Sequence, residues 1–304
     1  MKTLFERVAQ GEILISDGAM GTFLHAKGLA AGECPESWCV SHAEIVRQIA
    51  ESYAAAGSDV VETNSFGANS FKLKAYGLAD QAANFNRAAA RLAKAAVAGR
   101  GYVAASVGPT GQMVEEEGGD VTAAQLYESF QEQVIALAEG GADAICVETM
   151  WSVQEAAQAI RAVKQNTPLP AICTFTFEPG KKGYRTTMGV TPERAVRAAL
   201  DAGADMVGAN CGNGILNMIE ITRQMRATAP ETPILIHANA GMPVLEGDKT
   251  VFKDTPQDMA CRVRELIAAG ASIIGGCCGT NPDHIAAMAK IAKNGGCCCC
   301  CGGH

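Results

Sequence analysis

The sequence predicts a single α/β domain, a (β/α)8 TIM barrel, on three observations. Eight short apolar segments alternate with Ala-rich amphipathic ones along the 304 residues. The apolar segments are continuous runs with no polar alternation, as in a parallel sheet buried on both faces. Four amphipathic segments end in related punctuation: Ala56-Gly57-Ser58-Asp59, Gly140-Gly141-Ala142-Asp143, Ala202-Gly203-Ala204-Asp205 and Ala269-Gly270-Ala271-Ser272. Each fits a glycine helix stop followed by a short turn into the next strand. Eight strand–helix units in roughly 280 residues match such a barrel. A doubly wound open sheet is the alternative, and the lack of Gly-x-Gly-x-x-Gly at the first strand–helix turn lowers its standing.

In chain order, the strands are expected over residues 12–17, 59–64, 102–107, 144–149, 171–176, 206–211, 234–239 and 272–274. Amphipathic helices are expected between them, over 42–56, 122–139 and 192–201 among others. The Thr280-Asn281-Pro282-Asp283 sequence caps the start of a last helix. Residues 178–184 form a polar, glycine-rich loop after the fifth strand, and 241–256 a long irregular excursion after the seventh. Both leave the strands on the side where barrels carry substrate and lid loops. No linker composition divides residues 1–294, so they read as one barrel.

Composition excludes several classes. The chain is 48% hydrophobic and 19% charged, an ordinary globular balance, with a net charge of -7. No basic stripe is present to neutralise phosphates, which argues against a nucleic-acid partner. The N-terminal Met1-Lys2-Thr3-Leu4-Phe5-Glu6-Arg7 is charged where a signal peptide needs an apolar stretch. No apolar run approaches the ~20 residues of a membrane span. The expected location is cytoplasmic. Of 13 cysteines, five form the run Cys297 to Cys301. The rest, in a reducing compartment, are expected as buried residues, metal ligands or reactive thiols rather than disulfides.

A barrel gathers the C-terminal ends of its strands. Cys211 ends the sixth, and Cys277 with Cys278 end the eighth, after Gly275 and Gly276, which are expected to turn the backbone sharply. Adjacent cysteines do not readily pair with each other, but both can face one soft metal. The plainer reading of such a pair is two small buried residues. The flanking glycines and the third cysteine favour a metal. Three thiolates suit Zn2+ and leave a fourth position open, as in catalytic rather than structural sites. The matching chemistry is activation of a substrate thiol, which then attacks an activated methyl group in line.

Asn210-Cys211-Gly212 and Gly275-Gly276-Cys277-Cys278-Gly279-Thr280 resemble the zinc motifs of the homocysteine S-methyltransferase family. That family includes the homocysteine-binding domain of cobalamin-dependent methionine synthase and the betaine and S-methylmethionine enzymes. The resemblance extends over nearly the whole chain. It includes Asp17-Gly18-Ala19-Met20-Gly21-Thr22, Glu62-Thr63-Asn64-Ser65-Phe66, Gly108-Pro109, Glu148-Thr149 and Asn239-Ala240-Gly241. It implies zinc held by Cys211, Cys277 and Cys278, with homocysteine, or a similar small thiol, as the acceptor that becomes methionine. It also implies that Asp17 and Glu148 engage the substrate ammonium. Backbone N–H groups around Gly18, Ala19 and Met20 would take its carboxylate. Standing alone, Asp17 could equally start a turn and Glu148 sit in a structural ion pair. Asn210 is a substrate-site or positioning residue, Asn239 a positioning group, and His237 a barrel-core histidine rather than a fourth ligand.

The motifs around Asp17 and His237 are closer to the cobalamin-dependent type, so methyl-cobalamin on a separate corrinoid protein is the expected donor. Small onium donors, betaine or S-methylmethionine, are the alternative. A rival of another class is a non-catalytic metal-binding or thiol-sensing barrel. Residues 295–304, with Cys297 to Cys301 and His304, read as a flexible cysteine-rich tail outside the family pattern. It is either an appendage without a role or a soft-metal binder serving zinc acquisition or chelation.

Overall fold

The computed structural model describes residues 2–247 and 249–294. The cysteine run read as a tail lies outside them. Eight parallel strands form the sheet: β1 Leu14–Ile15, β2 Val60–Glu62, β3 Tyr102–Val107, β4 Ala144–Met150, β5 Ala171–Phe175, β6 Met206–Gly214, β7 Ile234–Asn239 and β8 Ile273–Gly276. Their order around the sheet is β1-β8-β7-β6-β5-β4-β3-β2. Every neighbour is thus a neighbour in sequence, except for β8, which returns to β1. With helices between successive strands, this is the expected (β/α)8 barrel.

The ladder leaves β1 and β2 unpaired as strands, and side chains close that seam. The Asp59 N–H donates to the Ile15 carbonyl at 2.6 Å, and the Asp59 carboxylate accepts the Ile15 N–H at 3.0 Å. One turn of chain further along, Asp17 Oδ2 accepts the Glu62 N–H at 2.8 Å.

The first of these contacts is one instance of a repeated device. Asp143 gives its N–H to Val103 O at 2.8 Å and takes the Val103 N–H at 2.8 Å. Asp205 does the same to Ala171, both at 2.8 Å. Ser272 repeats it with Ile234, its hydroxyl accepting at 3.4 Å. Each clamp joins an odd-numbered strand to the even-numbered one after it. The four punctuation motifs therefore end helices and also fasten strands. Gly57, Gly141, Gly203 and Gly270 all have φ between 98° and 113°, the left-handed region that a helix-terminating glycine supplies without strain. Lys94 and Lys164 pair with Asp143 and Asp205, and Arg7 and Lys293 with Asp59.

Inward-facing residues follow the two-residue strand period. Leu14, Val60, Tyr102, Ala104, Ala144, Cys146, Ile172, Met206, Leu235 and Ile273 make the barrel's inner core. Leu4 and Val8 of the opening helix, Leu4–Ala9, plug its lower end, the helix being started by a Thr3–Glu6 capping box. The out-facing residues, such as Val103, Ile145, Val147, Val207 and Ile236, pack under the helices. Ala123–Glu139 shows how: Leu126, Phe130, Val134 and Leu137 recur on one face and are buried, and Thr122 caps the start. This helix, Ala43–Ala55 and Pro192–Asp201 lie within a residue of expectation.

Two expectations are corrected. The excursions after the fifth and seventh strands are antiparallel hairpins, Glu178–Gly180 with Gly183–Arg185 and Val244–Glu246 with Lys249–Val251. Gly275 and Gly276 do not turn the chain; they continue β8, and the left-handed residue is Gly279, φ 82°. The need at Gly276 is space, because a Cβ there would lie 2.3 Å from Thr280 Oγ1.

Candidate active site

Three sulfurs converge at the C-terminal end of the barrel. Cys211, Cys277 and Cys278 have their Sγ atoms within 4.8 Å of one another, and among the described residues no other trio of potential ligands is so close. Cys211 lies in a bulge: the register of β6 on β7 breaks between Asn210 and Gly214. Its φ of 59° is a strained value for a residue with a side chain. The other two sulfurs follow β8, where the Cys277 N–H bonds to Ala238 O at 2.8 Å and the Cys278 carbonyl accepts the Ala240 N–H at 3.0 Å. Thr280 ties the turn by donating its hydroxyl to Cys277 O at 2.7 Å. All three thiols are partly exposed. Hydrogen bonds from Cys277 and Cys278 hold the Cys211 thiol well below the usual range, while Cys277 is pushed up by the same sharing.

The donor set fits zinc. Tetrahedral ligands at about 2.3 Å from the ion stand about 3.8 Å apart, and the Cys211 and Cys278 sulfurs are 3.8 Å apart. The three come from two strand ends held by backbone bonds, so little rearrangement is needed to present them together.

Beside the sulfurs lies a cavity of about 280 Å³, bounded by Asp17, Glu62, Glu148, His237 and the cysteines. That size suits a small molecule. Glu148 sits on β4 just before Thr149, whose φ of 58° marks a second bulge. Ser106 Oγ and Asn210 Nδ2 both donate to its carboxylate, the latter at 3.0 Å. Asn210 is fully engaged: its oxygen accepts the Thr149 N–H at 2.8 Å and the Thr174 hydroxyl at 2.7 Å. It is placed to aim Glu148. Asp17 accepts from Ser16 Oγ at 3.2 Å as well as from the Glu62 N–H, so it closes the β1–β2 seam and lines the cavity at once. Burial raises Asp17 to about 7, with the Glu148 charge adding to the effect, and burial raises Glu148 to about 7, with the Cys211 charge adding there.

Gly18, Ala19 and Met20 also line the cavity. Of their N–H groups, that of Ala19 donates to Thr280 Oγ1 at 3.1 Å, and the Ala19 carbonyl accepts the Tyr53 hydroxyl at 2.8 Å. The turn is therefore fixed from behind. Asn239 is buried, with its side-chain oxygen unpartnered. His237 lies 2% exposed on the barrel axis side, and burial lowers it to about 4, so the ring is neutral.

Sequence reasoning did not single out Glu62 or Ser106 as parts of this site. A signal was available: on the inward-facing period, β2, β3, β4 and β6 end in Glu62, Ser106, Glu148 and Asn210, after apolar residues lower down. Reading these strands as uniformly apolar runs hid it. A larger hollow, about 610 Å³, opens elsewhere among Glu51, Asp59, Arg100 and Lys293. Lys293 is already paired there with Asp59, and no thiols gather.

No helix among the described residues is long and apolar enough to cross a membrane. The homocysteine S-methyltransferase family model matches residues 14–292. Methionine synthase of Mycobacterium tuberculosis is 30% identical over 309 aligned positions, which cover 94% of this chain and 25% of that protein. Methionine synthase of Mycobacterium leprae is 30% identical over 308 positions with the same coverage. The chain thus spans about a quarter of the length of these relatives. Among solved structures, the metallated form of the homocysteine methyltransferase MmuM from Escherichia coli superposes with a TM-score of 0.76. It is 25% identical and covers 91% of this chain and 96% of its own. With a family match across almost its entire length and an eight-stranded barrel of the same shape, the chain belongs to the homocysteine S-methyltransferase family.

Proposed function

We propose that this protein methylates homocysteine to methionine at a zinc ion held by Cys211, Cys277 and Cys278. The observation that carries the reading is the trio of sulfurs beside a cavity lined by buried carboxylates. When bound, zinc supplies the Lewis acidity that keeps a substrate thiol deprotonated near neutral pH. Asp17 and Glu148 receive the substrate ammonium, and Ser106 and Asn210 hold Glu148 in position for it. The Gly18 and Met20 N–H groups of the turn are offered to the substrate carboxylate, that of Ala19 being taken by Thr280. The substrate sulfur then attacks the donor's methyl carbon; the S–C bond forms as the donor's bond to the methyl breaks, its electron pair leaving with the donor.

The donor we propose is methyl-cobalamin on a separate corrinoid protein. Similarity to methionine synthases and the motifs around Asp17 and His237 support it. A reducing, cytoplasmic setting suits the free thiols. Residues 1–294 are proposed as the catalytic barrel and 295–304 as an appended segment.

The deciding experiment measures zinc content and thiol methylation for the wild type and a Cys277→Ala, Cys278→Ala double variant. About one zinc per chain, with homocysteine methylated and both properties lost in the variant, is expected. Metal that survives the substitutions would place it elsewhere and favour a metal-binding protein without this chemistry. Supplying methylated corrinoid protein, betaine or S-methylmethionine in turn tests the donor, and activity with the small donors alone would remove the corrinoid partner. Deleting residues 295–304 tests the segment: unchanged zinc occupancy under limiting metal would remove a role in metal acquisition.

A further inference from the structure

We infer that Thr280 is a positioning residue that fixes the distance between the substrate-carboxylate turn and the sulfurs, and so selects the chain length of the amino-acid thiol. This rests on the homocysteine reading and adds to it the group that gauges the substrate. Thr280 stands two residues after Cys278 and is buried. Its hydroxyl donates to Cys277 O at 2.7 Å and accepts the Ala19 N–H at 3.1 Å. One oxygen atom thus joins the turn that carries two of the sulfurs to the Gly18 to Met20 turn, 261 residues away in sequence.

Two further bonds hold the same turn. The Gly276 N–H donates to Asp17 O at 2.8 Å, and Tyr53, from helix Ala43–Ala55, donates its hydroxyl to Ala19 O at 2.8 Å. Asp17 O shares a peptide with the Gly18 N–H, and Ala19 O shares one with the Met20 N–H. In a trans peptide the N–H and C=O point opposite ways, and no cis bond occurs among the described residues. Anchoring the two carbonyls therefore directs both N–H groups away from the anchors. The seat of the hydroxyl is tight: a Cβ at Gly18 would lie 2.6 Å from Thr280 Oγ1, and one at Gly276 2.3 Å. Glycine at both positions lets Thr280 sit between the turns. An amino acid whose carboxylate meets one turn and whose sulfur meets the cysteine trio must then span a set gap. One methylene more or fewer moves the sulfur by about 1 Å, a misplacement that such a site feels strongly.

The test is titration calorimetry on the zinc-loaded protein with cysteine, homocysteine and 2-amino-5-mercaptopentanoate, which lengthen by one methylene at a time. The wild type is expected to bind homocysteine tightest. Thr280→Val, and Thr280→Ala, which removes the hydroxyl without adding bulk, should each shrink that lead about 10-fold, with zinc content retained. Thr280→Ser, which keeps the hydroxyl, should keep the lead. An undiminished lead in Thr280→Val and Thr280→Ala would overturn the role of Thr280, as would equal weakening of all three thiols. Zinc lost with the hydroxyl would reduce Thr280 to a support of the metal turn and overturn the inference as well. The wild type alone also tests the gap: equal affinity for homocysteine and its longer homologue would overturn it. Binding of none of the three thiols would instead overturn the homocysteine reading itself.

Discussion

Cys211 and Thr149 are two of the three residues with side chains that take a left-handed backbone among the described residues. Both sit in bulges at the mouth of the barrel, one presenting a sulfur and the other following Glu148. Such conformations cost of order 1–3 kcal/mol each, and surrounding contacts must hold them. Asn210 does so for Thr149, through the bond from the Thr149 N–H. Asn210→Ala should therefore disturb Glu148 and its bulge together, raising the KM for homocysteine while metal content stays near that of the wild type; an unchanged KM would deny Asn210 its positioning role. Cys211→Ala should drop zinc from about one per chain to a small residue, measurable by elemental analysis. The buried acids also give a pH signature. Glu148 in the folded chain titrates at about 7, above its ordinary unfolded value, so the folded state holds the proton more tightly. Between about pH 4 and pH 7 the unfolded state binds fewer protons, and stability falls as pH rises through that window. In Glu148→Gln the fall between pH 5 and pH 8 should shrink by on the order of 2 kcal/mol, read by urea denaturation of the metal-free protein.

At the level of elements, most of the architecture was legible because strands and helices are local. The helix stops were visible at four glycines, and three of the helices they end lie where periodicity placed them. The partners of those motifs were not visible. That Asp143 grips Val103 depends on a meeting of chain segments 40 residues apart, which no local pattern encodes. The same holds for the Asp17 link to Glu62, which makes a substrate-type carboxylate serve the seam as well. The two hairpins were missed because each strand is only three residues long, too short for an alternating pattern to show. The clamps make a clear prediction. Asp143→Ala and Asp205→Ala each remove an acceptor for a strand N–H and a lysine partner, and should each cost about 1–3 kcal/mol. Chemical denaturation should show the loss with zinc content intact, since neither lies at the sulfur end.

Across the whole molecule, a metal joining Cys211 to Cys277 and Cys278 ties β6 to the end of β8. Any ligand that binds only the folded state stabilises it by mass action, by about 2.7 kcal/mol at a hundredfold excess over its Kd. Chelation should lower the melting temperature of the wild type and leave Cys211→Ala unmoved; equal shifts would place the stabilising metal elsewhere. The sequence carried the three cysteines and two of the acids plainly, since motif order and strand ends sufficed to gather them. Glu62 stood in a quoted motif, but its place on the cavity emerged only from the fold. The placement of these groups divides the sheet in two. Asp17, Glu62 and Glu148 all belong to the first four strands, and all three sulfurs come from the last four. The carboxylates and the sulfurs therefore lie on separate halves of the chain, with Asn210 of β6 reaching across to steady Glu148. Recombination near residues 167–170 between family members would be expected to exchange thiol preference while keeping the metal, so that new acceptors can evolve without rebuilding the chemistry.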